Sequence, residues 1–100
     1  MKYVVKKRCA KKINSFYHNV AKKYKHTYSE ELMHRNIDEA SDSIYQIENT
    51  LLRREPTLTR WKGKGYYMAN TDKWYFAYTI DDDTIIITDA CHAQNMHEKK

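Results

Sequence analysis

His92 is the side chain in this sequence best suited to moving a proton. Imidazole titrates near neutrality, and His92 directly follows a strand-like run, where a functional side chain can protrude. The same position suits a hydrogen-bonded structural histidine. His97 offers the same chemistry closer to the end of the chain. A second set of residues can meet negative charge. Between Leu51 and Asn70 the bases Arg53, Arg54, Arg60, Lys62 and Lys64 stand against one acid, Glu55. Such a block binds polyanions or is neutralised elsewhere in the fold. Of Tyr66, Tyr67, Tyr75 and Tyr78 some must be core. An exposed one beside Lys62 and Lys64, with Tyr66 the candidate, would stack on an RNA base. Gln94 and Asn95 either bind bases or fix the conformation of the tail. Trp61 and Trp74 read as packing anchors.

Other chemistry finds little support. Cys91-His92, with Cys9 and His97 far away in sequence, lacks the paired spacing of a zinc site, so no metal is expected. A Cys91 nucleophile activated by His92 is disfavoured, because adjacent strand residues point to opposite faces. Asp81-Asp82-Asp83 lacks the spaced oxygen ligands of a calcium loop and reads as a solvated turn. Gly63 and Gly65 mark a bend or bulge. They do not make a phosphate loop, since no Gly-Lys-Ser or Gly-Lys-Thr ending is present. No cofactor is expected.

The elements that must position these residues follow from hydrophobic periodicity. Lys2–Lys7 forms a short strand, with Tyr3 and Val5 on one face. Arg8 to Lys25 reads as a helix, with Ile13, Phe16, Val20 and Tyr24 on one stripe and Lys11, Lys12, Lys22, Lys23 and Lys25 around it. Those lysines are either a solvated face or a nucleic-acid contact. Ser29 caps a second helix, in which Glu30 and Glu31 suit the positive end of the dipole. Met33, Ile37, Ala40, Ile44, Ile47 and Leu51 continue its seam as one helix, and Pro56 marks its end. With only a few residues between them, the two helices should pack as an antiparallel hairpin.

Two β-hairpins in series complete the chain. Tyr66–Met68 leads through a polar turn at Asn70-Thr71-Asp72-Lys73 to the aromatic run Trp74–Ile80. The acidic turn Asp81–Asp83 then leads to Thr84–Thr88, extending to about Cys91 before the tail frays. Everything upstream is expected to cover one face of this sheet. The predicted fold class is therefore α+β, in the order β-α-α-β-β-β, with a helical hairpin packed on a curved antiparallel sheet.

The chain has 100 residues, which suits a single domain over 1–100, and a net charge of +5. That charge is blocked: from Met1 to Tyr28 there are nine Lys or Arg and no acid, whereas Ser29 to Thr50 is acidic. No apolar run approaches the roughly 20 residues that span a bilayer. The charged start, Met1-Lys2-Tyr3-Val4-Val5-Lys6-Lys7, lacks a signal-peptide apolar block. A cytoplasmic location without membrane contact is expected, and there Cys9 and Cys91 would be reduced thiols.

The stretch Trp74-Tyr75-Phe76-Ala77-Tyr78-Thr79-Ile80-Asp81-Asp82-Asp83-Thr84-Ile85-Ile86-Ile87 resembles the central segment of the RelE/ParE superfamily of bacterial type II toxins, and Cys91-His92-Ala93-Gln94-Asn95 is similar to the family's His-containing tail. The order of elements resembles the family over nearly the whole chain. The resemblance implies the toxin of a toxin–antitoxin pair, held inactive by a cognate antitoxin protein. RelE-like members cut mRNA in the ribosomal A site; ParE-like members inhibit DNA gyrase without cleaving RNA. A degenerate member would keep only antitoxin or nucleic-acid binding. The leading expectation is a ribosome-dependent endoribonuclease. Such cleavage needs a base for the 2′-hydroxyl, positive charge for the phosphorane and an acid for the leaving oxygen. His92, with His97 as a weaker candidate, would transfer protons. Lys62 and Lys64 would supply phosphate charge. Arg53, Arg54, Arg60, Tyr66, Gln94 and Asn95 would hold RNA. The sequence departs from the nuclease pattern where the family arginine aligns with Tyr75, and where family lysines fall near Tyr66 and Met68. The site would therefore be rebuilt rather than inherited.

Overall fold

The computed structural model describes residues 1–96. Strand β1 (Lys2–Val5) is followed by helices α1 (Lys7–Lys23) and α2 (Glu30–Ser43), then strands β2 (Tyr67–Thr71), β3 (Trp74–Asp81) and β4 (Thr84–His92). Short 3₁₀ turns cover Ile44–Asn49, Thr59–Trp61 and Ala93–Asn95. The class is α+β, as the periodicity predicts, with two helices packed on a four-stranded sheet of order β1-β4-β3-β2. The sheet is not antiparallel throughout. β1 lies parallel to β4, Lys2 against Thr84 through Val5 against Ile87, while β2–β3 and β3–β4 are antiparallel. The reason is topological: two helices carry the chain away from β1, so nothing compels it to return as a hairpin.

The two hairpin turns are tighter than their polar composition suggests. Strand pairing runs to Thr71–Trp74 and Asp81–Thr84, leaving Asp72-Lys73 and Asp82-Asp83 as two-residue turns. Asp72 and Asp82 open them at φ 53° and 54°, a left-handed conformation that aspartate tolerates better than most residues.

Helix α2 starts as expected, with Ser29 Oγ accepting from the Leu32 amide at 3.0 Å. It does not run on to Leu51. After Ser43 it tightens to 3₁₀, which sets Ile44 and Ile47 on one face three residues apart. The Ser43 hydroxyl marks the change: it donates to the Ala40 carbonyl at 2.7 Å and accepts from Thr71 Oγ1 at 3.0 Å. Ile44 and Ile47 are buried, whereas Leu51 is exposed. In α1 the buried stripe is Cys9, Ile13 and Tyr17. Phe16 flanks the core, and Tyr24, expected on the stripe, is exposed.

Both faces of the sheet carry a core, so the expectation that all upstream chain covers one face fails. On the helical face Trp74, Phe76, Tyr78, Ile85, Ile87 and Ala90 meet α1 and α2. On the opposite face Met68, Ala77 and Cys91 are covered by Leu58 and Trp61. The basic segment after Pro56 is thus also a packing layer, and Trp61 is its anchor at 1% exposure. No helix among the described residues is long and apolar enough to cross a membrane.

Candidate functional site: a cationic cleft between the first helix and the last strand

Pairing of β1 with β4 stops at Ile87, where the Lys6 amide donates to the Ile87 carbonyl at 2.9 Å. The chain then turns into α1, and the end of β4 runs on without a strand on that side. Opposite Ala77 and Tyr78 the β3–β4 register slips by one residue. This bulge moves Asp89 and Cys91 to one face and Ala90 and His92 to the other. The N-terminal half of α1, the end of β4 and Arg60 enclose a cleft of about 750 Å³.

One wall of the cleft is a helical stripe. Lys7, Lys11, Ser15 and Asn19 line it at four-residue spacing, with Arg8, Lys12 and Phe16 one position further round. Helix α1 has no acid in its first turn and no side-chain cap. Its cations therefore add to the positive end of the helix dipole.

Asp89, 3% exposed, sits beneath these cations. Its carboxylate accepts from Lys12 Nζ at 2.6 Å, from Trp61 Nε1 at 2.8 Å and from the Ala90 amide at 2.8 Å, with Arg8 Nε at 4.0 Å. Burial pushes the Asp89 carboxyl up; the bonds from Lys12, Trp61 and Ala90 outweigh it and hold the carboxyl below its ordinary range. Lys7, Lys11 and Arg60 have no such partner: among the described residues no carboxylate lies within ion-pair distance of them. The Arg60 guanidinium lies over the Trp61 ring at 5.7 Å.

His92 stands in the wall at the inner end. Its ring stacks on Phe16 at 4.1 Å and 10°, and meets Trp74 edge-on at 5.2 Å. Nδ1 accepts from the Gln94 amide at 3.2 Å, which leaves the ring proton on Nε2. Burial lowers its pKa, Lys73 lowers it further and Asp72 opposes them. The imidazole is therefore neutral at pH 7.

The structure gathers some of the expected residues and not others. Arg60, His92 and Asn95 line the cleft, and Gln94 lines an adjoining cavity. Lys62 and Lys64 are exposed and line neither. Arg53 is turned to Tyr67, donating to its hydroxyl at 3.1 Å. The Arg54 carbonyl accepts from the Met68 amide at 2.9 Å. Tyr66 packs against the Trp61 core. His97 lies outside the described residues. Lys7, Arg8, Ser15 and Asn19 were not singled out by sequence reasoning. Their signal was the acid-free block from Met1 to Tyr28, read together with the four-residue steps.

The two thiols are poor reagents. Both are buried and unpaired, and burial, with the Asp89 charge, pushes Cys9 up to about 12 despite Lys12. Among the described residues no group of three or more His, Cys, Asp or Glu side chains could hold a metal ion. What the cleft can do chemically is hold phosphate charge beside a neutral, ring-stacked imidazole. No protein-family model matches this sequence, and no curated protein is significantly similar to it.

Proposed function

We propose that this protein binds RNA through its phosphate backbone in the cleft between α1 and β4, and that it is the toxin of a RelE/ParE-type pair acting on ribosome-bound mRNA in the cytoplasm. The observation that carries this reading is the set of Lys7, Lys11 and Arg60 around one cleft without a described carboxylate partner. Unpaired cations facing a concave surface attract a polyanion more than a single small anion. The α+β architecture of two helices on a mixed sheet is compatible with the resemblance in the sequence, and a cognate antitoxin would then be the partner that closes the cleft.

Cleavage asks for more than binding. A neutral His92 can remove the 2′-hydroxyl proton only through a free lone pair, and its Nδ1 lone pair is engaged by the Gln94 amide. The Ala93–Asn95 turn must shift to release it. Lys7, Lys11 and Arg60 would then stabilise the phosphorane as the bond from the 2′-oxygen to phosphorus forms and the bond to the 5′-oxygen breaks, and the leaving 5′-oxygen would take its proton from solvent. Adding the protein to a cell-free translation reaction and mapping mRNA ends by primer extension tests this directly. New ends that require translating ribosomes, and that disappear with Lys7→Gln/Lys11→Gln, are the expected result. RNA binding without new ends would remove the nuclease step. Failure to bind RNA, together with inhibition of gyrase supercoiling, would replace the whole reading.

A further inference from the structure

A second cavity, of about 540 Å³, adjoins the cationic cleft; Phe16, Asn19 and His92 line both. Its character is different. Tyr17, Tyr24 and Tyr28 supply ring surface, Asn19, Asn36 and Gln94 supply carboxamides, and Lys23 and Lys73 are its cations. Asn36 Nδ2 donates to the Tyr28 hydroxyl. This leaves the Asn36 carbonyl oxygen as an acceptor and the Tyr28 hydroxyl proton as a donor, side by side. The Asn19 and Gln94 side chains are exposed, and no described group hydrogen-bonds to either. Aromatic faces with spare amide donors and acceptors are how proteins hold an unstacked RNA base.

We propose that this cavity is a nucleobase pocket, which takes the base of a nucleotide whose phosphate lies in the cationic cleft, and that it prefers adenine. This rests on the RNA-binding reading of the cleft. The Phe16–His92 stack is the ridge between the two halves, so a strand crossing it leaves phosphate on the Lys11 side and turns a base toward Tyr28. Every unpaired base presents a donor beside an acceptor, adenine N6–H and N7 or uracil N3–H and O4, that a carboxamide or the Asn36–Tyr28 couple matches. Adenine is preferred because its two-ring face stacks more strongly on the tyrosine rings. Tyr24 and Tyr28 are thus the specificity-determining residues, distinct from the cations of the cleft that supply affinity.

The test is fluorescence anisotropy with labelled short oligoadenylate and oligouridylate. Oligoadenylate is expected to bind about tenfold tighter, within the roughly 1–3 kcal/mol that stacking of a base on an aromatic ring contributes. Tyr24→Ala, at an exposed ring, should shrink that ratio. Tyr28→Ala should abolish it; circular dichroism checks that this variant keeps its fold after losing the bond from Asn36. Equal binding of the two oligomers, or a preference that survives in both variants, overturns the base pocket and leaves the cationic cleft standing. If neither oligomer binds, the cleft reading itself falls and the pocket falls with it.

Discussion

Replacing Asp89 with asparagine should cost stability out of proportion to the change of one atom. The carboxylate is 3% exposed and accepts three short hydrogen bonds. Trp61 donates to one oxygen, and Lys12 and the Ala90 amide to the other. An amide has a single acceptor oxygen. In either orientation its NH₂ faces a donor: Trp61 in one, Lys12 and Ala90 in the other. A buried donor left unsatisfied costs about 1–3 kcal/mol, and a bond to a charged group contributes about 1.5–3 kcal/mol. Asp89→Asn should therefore lose roughly 2–4 kcal/mol, a large share of the 5–15 kcal/mol of stability typical of a domain. Lys12→Met removes one donor and leaves Trp61, Ala90 and the more distant Arg8; it should lose about 1–2 kcal/mol. Once Asp89 is an amide, the Lys12 head, with a side chain 35% exposed, turns to water. The second substitution then costs little. Urea denaturation at pH 7 of the two single variants and the double measures the difference. A coupling of about 1–2 kcal/mol is expected; additivity within about 0.5 kcal/mol refutes the account of Asp89 as the anchor of the cleft's floor. The pH dependence has a definite sign. The Asp89 carboxyl is held below its ordinary range when folded, so its contribution is complete above the unfolded value near about pH 4 and is lost as pH falls through the folded value. The Asn variant should lack that part of the acid limb.

Salt titration of RNA binding separates the two basic surfaces. Lys7→Gln/Lys11→Gln should flatten the plot of log affinity against log salt by about 1.4, at about 0.7 per single-strand phosphate; Lys62→Ala/Lys64→Ala should leave the slope unchanged, and the reverse pattern would return the site to the segment after Pro56. The His92 ring protons followed by NMR should titrate below the ordinary histidine value of about 6.5, because burial and Lys73 both disfavour the charged form. With a depressed folded value, His92 supports stability above that pH and loses its contribution as pH falls; a midpoint at or above 6.5 would contradict the stacked, neutral ring. Tyr78→Phe should be neutral or stabilising by up to about 1 kcal/mol in thermal denaturation, since the hydroxyl is buried without a hydrogen-bond partner of standard geometry. A loss of more than about 1 kcal/mol would show that the Arg53 backbone amide, which lowers the Tyr78 pKa against burial, makes a bond of full strength.

What the sequence displayed was its local periodicity. The Ser29 cap, the aromatic β3 and the β-branched β4 announce themselves through propensity and spacing. Register and direction were hidden. Parallel pairing of β1 with β4 is a long-range choice that four residues cannot encode. The bulge opposite Ala77 and Tyr78 leaves no mark in the run Ile85-Ile86-Ile87-Thr88-Asp89. That bulge decides the site, because it sends His92 to the helical face and Asp89 to the Trp61 face. The basic segment from Arg53 to Lys64 drew attention by density of charge. It holds a layer of core instead, since Leu58 and Trp61 are its folding determinants and their neighbours are carried along. The α1 cations were visible as charge, but nothing local said which face would border a cleft.

The cost of that cleft is itself informative. Lys7 and Lys11, and Arg8 and Lys12, are like charges one helical turn apart, each pair unfavourable by about 0.2–0.5 kcal/mol. They sit at the helix end where the dipole favours acids. The acids of α2 do not relieve them: among the described residues no ion pair joins the two helices. Asp89 neutralises from below, where it fixes Lys12 and steadies Arg8, and it leaves the mouth positive. A fold selected for stability alone would place an acid in the first turn of α1. Retaining Lys7, Lys11 and Arg60 around one concavity makes sense when a ligand with several negative charges replaces the missing acids. The adjoining rings and carboxamides then argue that this ligand carries bases as well as phosphates.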